Sequence, residues 1–115
     1  MLELIIKDDD KKIPLRYDVF INNEFYQSFY VKGPEKHLED YYVSNGIYRI
    51  RTNESNLSNA SYMAHECAVR LAKLKINNHD KEYLFKGELR DFSKPPKYVK
   101  EPYEKLEERR ERIAI

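Results

Sequence analysis

Six of the fourteen residues from Tyr17 to Tyr30 are aromatic, and they flank the dipeptide Asn22-Asn23 in the run RYDVFINNEFYQSFYV. Asn tolerates positive φ better than any residue except Gly, so an Asn pair between two aromatic, β-branched runs predicts a tight hairpin turn. Side chains alternate along a strand. Tyr17, Val19 and Ile21 therefore share one face of the first strand, and Arg16, Asp18 and Phe20 share the other. In the second strand Phe25, Gln27, Phe29 and Val31 alternate with Tyr26, Ser28 and Tyr30. Phe25, Phe29 and Val31 are expected in the core, with Tyr26 and Tyr30 on a second, more polar face.

The rest of the chain reads as a mixture of strands and helices. Leu2 to Ile6 is an apolar run ended by the charged turn Asp8-Asp9-Asp10-Lys11-Lys12. Gly33-Pro34 stops the hairpin, and Pro34 suits the entry to a short helix over EKHLEDYYV, ending at Asn45-Gly46. Ile47 to Arg51 is expected as a strand with Tyr48 and Ile50 on one side and Arg49 and Arg51 on the other. The loop NESNLSN is rich in helix-capping residues. A long helix is predicted from about 59 to 75, because Ala60, Met63, Ala64, Cys67, Leu71 and Leu74 recur at spacings of three and four. Tyr83 to Lys86 reads as a last short strand. Pro95, Pro96 and Pro102 mark an extended arm, followed by a helix over Tyr103 to Ile113 with a thin stripe of Tyr103, Leu106 and Ile113. Glu108 and Arg112 stand at the spacing of a helical ion pair.

These readings define an α+β fold: an antiparallel sheet of three to five strands with one long helix packed on a face, and a C-terminal extended arm plus helix. A chain of 115 residues supports one domain. Residues 1–93 are expected to form it, and 94–115 belong to it or act as a docking or oligomerisation tail. The formal net charge of +1 predicts no global attraction to polyanions. Lys, Asn, Ile, Tyr and Phe outnumber Gly, Ala, Arg and Pro about two to one, a bias that AT-rich coding DNA produces and that points to a low-GC bacterium or one of its phages. The N-terminal apolar run is too short for a signal peptide or a membrane span. Cys67 is the single cysteine and cannot form an intramolecular disulfide, so a cytoplasmic location is expected.

No reaction is legible. His65-Glu66 begins like a zinc-protease helix, but Val69 stands where the second histidine belongs. His37, His65 and His79 are scattered, Cys67 lies on the apolar stripe, and three consecutive aspartates in a turn cannot all face one ion. The three glycines are isolated, which excludes a glycine-rich phosphate loop. No catalytic residue, metal or cofactor is therefore expected.

Two kinds of binding remain. Tyr26, Tyr30 and Tyr48 beside Arg49 and Arg51 have the chemistry of a single-strand-binding sheet, where aromatic rings stack on bases and Arg holds phosphates. The order of three strands and an Ala-rich helix, SYMAHECAVRLAKL, is also similar to the second half of a double-stranded-RNA-binding domain. That family has a helix before its strands and lysines at the start of its last helix, whereas Ser58, Asn59, Ala60 and Ser61 stand here. Protein recognition is the first expectation, because Tyr and Arg anchor interfaces. Its candidate contacts are Tyr26, Tyr30, Tyr48, Arg49, Arg51, Tyr98, Tyr103, Leu106, Arg109 and Arg110. The chain is thus expected to be a small non-enzymatic binding protein, such as a phage or mobile-element accessory or inhibitor. Its partner would be a host protein or a second copy held through the C-terminal segment, with nucleic acid as the alternative and no membrane partner.

Overall fold

The computed structural model describes residues 1–34, 39–78, 81–83, 89–91 and 103–114. The elements are β1 (Leu2–Asp8), β2 (Pro14–Ile21), β3 (Glu24–Lys32), β4 (Tyr42–Ser44), β5 (Arg49–Arg51), α1 (Leu57–Ile76), β6 (Lys81–Tyr83), β7 (Leu89–Asp91), a 3-10 turn (Tyr103–Lys105) and β8 (Glu107–Ile113). Among the described residues, six strands form one antiparallel sheet in the order β5-β4-β3-β2-β1-β8, and β6 pairs with β7 separately. The α+β class holds, with more strands in the main sheet than expected.

The Asn22-Asn23 hairpin forms as the sequence implies. Both residues have positive φ, 50° and 69°, and Ile21 pairs with Glu24 across a two-residue loop, the geometry of a type I′ turn. The strands above the turn do not alternate simply. Phe20 pairs with Phe25, but Val19 pairs with Gln27, so β3 carries one extra residue at Tyr26. This bulge exchanges the expected roles of its neighbours. Phe25 is 45% exposed and meets Phe20 edge-on, whereas Tyr26 packs against the core. Beyond the bulge Phe29 and Val31 return to the core as expected.

α1 begins where Asn56 Oδ1 accepts the backbone N–H of Asn59 at 3.1 Å, and Lys73 and Lys75 sit in its last turn, where the helix dipole favours cations. Its buried apolar face is Ala60, Ala64, Cys67, Ala68, Leu71 and Ala72, and Ser61 is buried beside them. Four small side chains let the helix lie close across β2 and β3, with a lighter contact to β4. The core lies between them and includes Leu2, Leu4, Ile6, Tyr17, Val19, Phe29, Val43 and Ile50.

Two expected helices are corrected. The segment anticipated as helical over 35–43 instead contributes Tyr42–Ser44 to β4, where Val43 pairs with Val31 and is fully buried; residues 35–38 lie outside the described residues. The C-terminal helix is replaced by the 3-10 turn and by β8, which pairs antiparallel with β1 from Leu2↔Ile113 to Asp8↔Glu107. Tertiary pairing overrides helical propensity here, because Glu108 finds Lys7, Arg109 finds Asp8, and Arg110 and Arg112 find Glu3 on β1. The expected strand over 83–86 is described only at Tyr83, the end of β6, and the proline arm of 93–102 lies outside the described residues.

Candidate protein-binding surface

The sheet has two faces with different chemistry, and the expected contact residues are divided between them. On the face away from α1, Arg16 Nε donates to Asp18 Oδ1 at 2.7 Å, Arg16 Nη2 to Ser28 Oγ at 3.3 Å, and Ser28 Oγ to Asp18 Oδ1 at 2.5 Å. All three residues are buried, and Arg16 is 0% exposed. Tyr103 packs over Arg16: its ring lies 5.9 Å from the Arg16 guanidinium and 5.5 Å from the Tyr30 ring, and its hydroxyl donates to the Val31 carbonyl at 3.2 Å. Burial pushes the Tyr103 phenol well above its ordinary range. Tyr30 and Tyr103 are therefore interior residues, joined by Ser44, whose hydroxyl donates to Tyr30 Oη at 3.2 Å.

Tyr26 and Tyr48 pack on the helix side of the sheet, so Tyr26, Tyr30 and Tyr48 do not share one face. Arg49 and Arg51 are exposed on the outer strand β5; Arg49 stacks 3.8 Å over Tyr42, and Arg51 holds Asp40 at 3.0 Å. Leu106 is half-buried after the 3-10 turn, and Tyr98 lies outside the described residues. Arg109 and Arg110 are neighbours on β8 but lie on opposite faces of the sheet, bonded to Asp8 at 2.7 Å and to Glu3 at 3.2 Å respectively.

On the helix side α1 lies over β2 and β3, Leu2, Leu4 and Ile6 of β1 are fully buried in the core, and β8 stands beside the helix. The space left over is a groove of about 790 Å³ between α1 and β8, with Tyr62, Val69, Leu74 and Ile113 supplying apolar surface and Arg70 and Lys73 lining its rim. Tyr62 is 64% exposed. His65 spans the groove floor, with Nε2 at 2.8 Å from Glu111 Oε1 and its ring edge-on to Tyr17 at 5.5 Å. Burial raises the Tyr17 phenol, whose hydroxyl donates to the Ser61 carbonyl at 3.1 Å. The sequence reading missed this groove. Its available signal was the seven-residue spacing of Tyr62 and Val69, two helical turns that place both beside the main apolar stripe.

The potentially reactive groups are held apart. Cys67 is buried on the core face of α1 and its thiol is pushed up to about 12 by burial, far from the range of a reactive thiolate. Asp8, Asp9 and Asp10 diverge: Asp8 is buried on the sheet, Asp9 Oδ1 accepts the N–H groups of Lys11 and Ile13 at 2.9 Å, and Asp10 is exposed. Among the described residues no cluster of three His, Cys, Asp or Glu side chains is arranged to hold a metal ion, and His37 and His79 lie outside them. Among the same residues no helix is long and apolar enough to cross a membrane. Comparisons of this chain with protein-family models, with curated proteins and with solved structures find no match.

Proposed function

We propose that the chain is a small non-enzymatic protein that acts by binding another protein along its α1–β8 side. One observation carries this reading: among the described residues β8 is a seven-residue edge strand, and it stands beside a groove with apolar walls. Open strand edges and contiguous apolar patches are the two surface features that most often receive a partner chain. The buried, high-pKa Cys67 and the engagement of His65 with Glu111 and Tyr17 support a binding role over a catalytic one. A cytoplasmic accessory or inhibitor protein of a phage or mobile element fits the small size, the lone cysteine and the composition.

The test uses tagged full-length chain and a Tyr62→Glu/Lys73→Glu variant, both substitutions falling on exposed groove residues. The parent chain is expected to capture a stoichiometric protein from host lysate, and the variant to lose it. Equal recovery by both would overturn the assignment of the groove. Tight retention of single-stranded or duplex nucleic acid at low salt, abolished by Arg49→Ala/Arg51→Ala, would instead establish the Tyr/Arg nucleic-acid reading, because phosphate contacts are strongest there.

A further inference from the structure

The two edges of the main sheet are unequal. β5 offers three residues, a length that limits further pairing, whereas β8 offers seven, and among the described residues no strand lies on its outer side. Six of the seven residues of EERRERI are charged, which ordinarily discourages edge pairing. The order of the charges makes one pairing favourable.

A two-fold axis perpendicular to a sheet pairs residues of the same face. With the axis at Arg110, Glu108 lies opposite Arg112 of the second copy and Arg109 lies opposite Glu111, and each pair occurs twice. Moving the axis to Arg109 sets Glu107 against Glu111. Moving it to Glu111 sets Arg110 against Arg112. Like charges directly opposite one another destabilise an antiparallel pair, and opposite charges stabilise it. Arg110 is therefore the one centre on β8 at which both flanking rows are complementary.

The contacts within each chain extend the same pattern. Glu3 holds Arg112 at 3.2 Å, and Lys7 holds Glu108 at 3.3 Å, so one row across the junction would read Glu3, Arg112, Glu108, Lys7 with alternating sign. On the helix side the row would read Asp8, Arg109, Glu111, His65, its two halves already bonded within each chain at 2.7 and 2.8 Å. The one like-charged meeting, Arg110 with Arg110, is flanked by Glu3 of each copy, bonded to Arg110 at 3.2 Å. Resting on the reading of the α1–β8 side as a protein-binding surface, we propose that one partner of β8 is a second copy of this chain. The copies pair antiparallel about Arg110 and join their sheets into one, with both α1 helices on the same face.

The test measures the mass of the full chain by light scattering across a range of protein and salt concentrations. A doubled mass that falls back with salt is expected. Glu108→Arg and Arg112→Glu should each lose the dimer alone and regain it when mixed, because only the mixture restores opposite charges at both 108–112 pairs. Arg110 is exposed, so Arg110→Cys leaves the fold intact and places two thiols opposite each other within disulfide reach. Mild oxidation should crosslink Arg110→Cys and should not crosslink Glu107→Cys, and Cys67 is buried and silent. A monomer at all concentrations, with no crosslink at position 110, would overturn the proposal. Retained groove-dependent capture of another protein by such a monomer would leave the broader reading standing, and loss of both would remove it as well.

Discussion

β2 and β3 are buried on both faces, and the two faces are held by opposite chemistry. Toward α1 they present Tyr17, Val19 and Phe29 to an apolar core; away from it they present buried Arg16, Asp18 and Ser28, with the Tyr103 ring beside Arg16. An apolar face gains stability roughly in proportion to area and loses it in proportion to what is removed. A buried charged face is conditional, since each group is stabilising only while its partner is present. The contrast teaches that along these strands the face away from α1 is also interior, its charges held by partners within the chain.

The largest effects should come from breaking one partner on either face. Asp18→Ala leaves the Arg16 guanidinium buried without its carboxylate and should cost about 3–5 kcal/mol, and Phe29→Ala should cost about 3–5 kcal/mol through its cavity, both measured by urea unfolding. The faces part company when the whole network is replaced: Arg16→Met/Asp18→Leu/Ser28→Ala should fall near the parent stability or above it, because no charge is left uncompensated. A triple variant as unstable as Asp18→Ala would show that the network acts through more than charge pairing.

A second loss should appear at alkaline pH. Cys67, Tyr17 and Tyr103 are all held neutral by burial in the folded chain, so their folded pKa values lie above their unfolded ones. Above the unfolded value the unfolded chain binds fewer protons than the folded chain, and stability therefore falls as pH rises, from about pH 9 for Cys67 up to its folded value near 12. One pH unit above its unfolded value Cys67 removes roughly 1 kcal/mol. Unfolding midpoints measured between neutrality and alkaline pH should show this slope, and Cys67→Ala should flatten its lower part. The smallest expected effect is Tyr103→Phe, which deletes the bond to the Val31 carbonyl and should cost about 0.5–1.5 kcal/mol while leaving the ring over Arg16.

The aromatic hairpin, the long helix and most of the core were legible because local rules decide them. An Asn pair between β-formers makes a turn, and apolar residues at spacings of three and four make a helix. The bulge at Tyr26 was not legible. Strict alternation sorts Phe25 with Phe29, whereas the turn register sorts Phe25 with Phe20, and only the packed sheet resolves the conflict with one extra residue. β8 was hidden for a related reason. EERRERI has helical composition and no apolar alternation, and what makes it a strand is the row of partners on β1, about a hundred residues earlier in the chain. The candidate binding side inherits that opacity, since both the edge and the groove exist only because β8 lies where it does.

By itself the sequence determined the local vocabulary: where the chain turns, where it coils, which residues must leave water, and that no familiar catalytic motif is present. The tertiary structure decided which aromatic residues are interior and which strand ends the sheet. Those outcomes depend on pairing between distant segments, where register and charge partners, not intrinsic propensity, set the free energy. Tyr30 is interior because Tyr103 reaches it across 73 residues of chain, and among the described residues β8 ends the sheet with β1 as its neighbour.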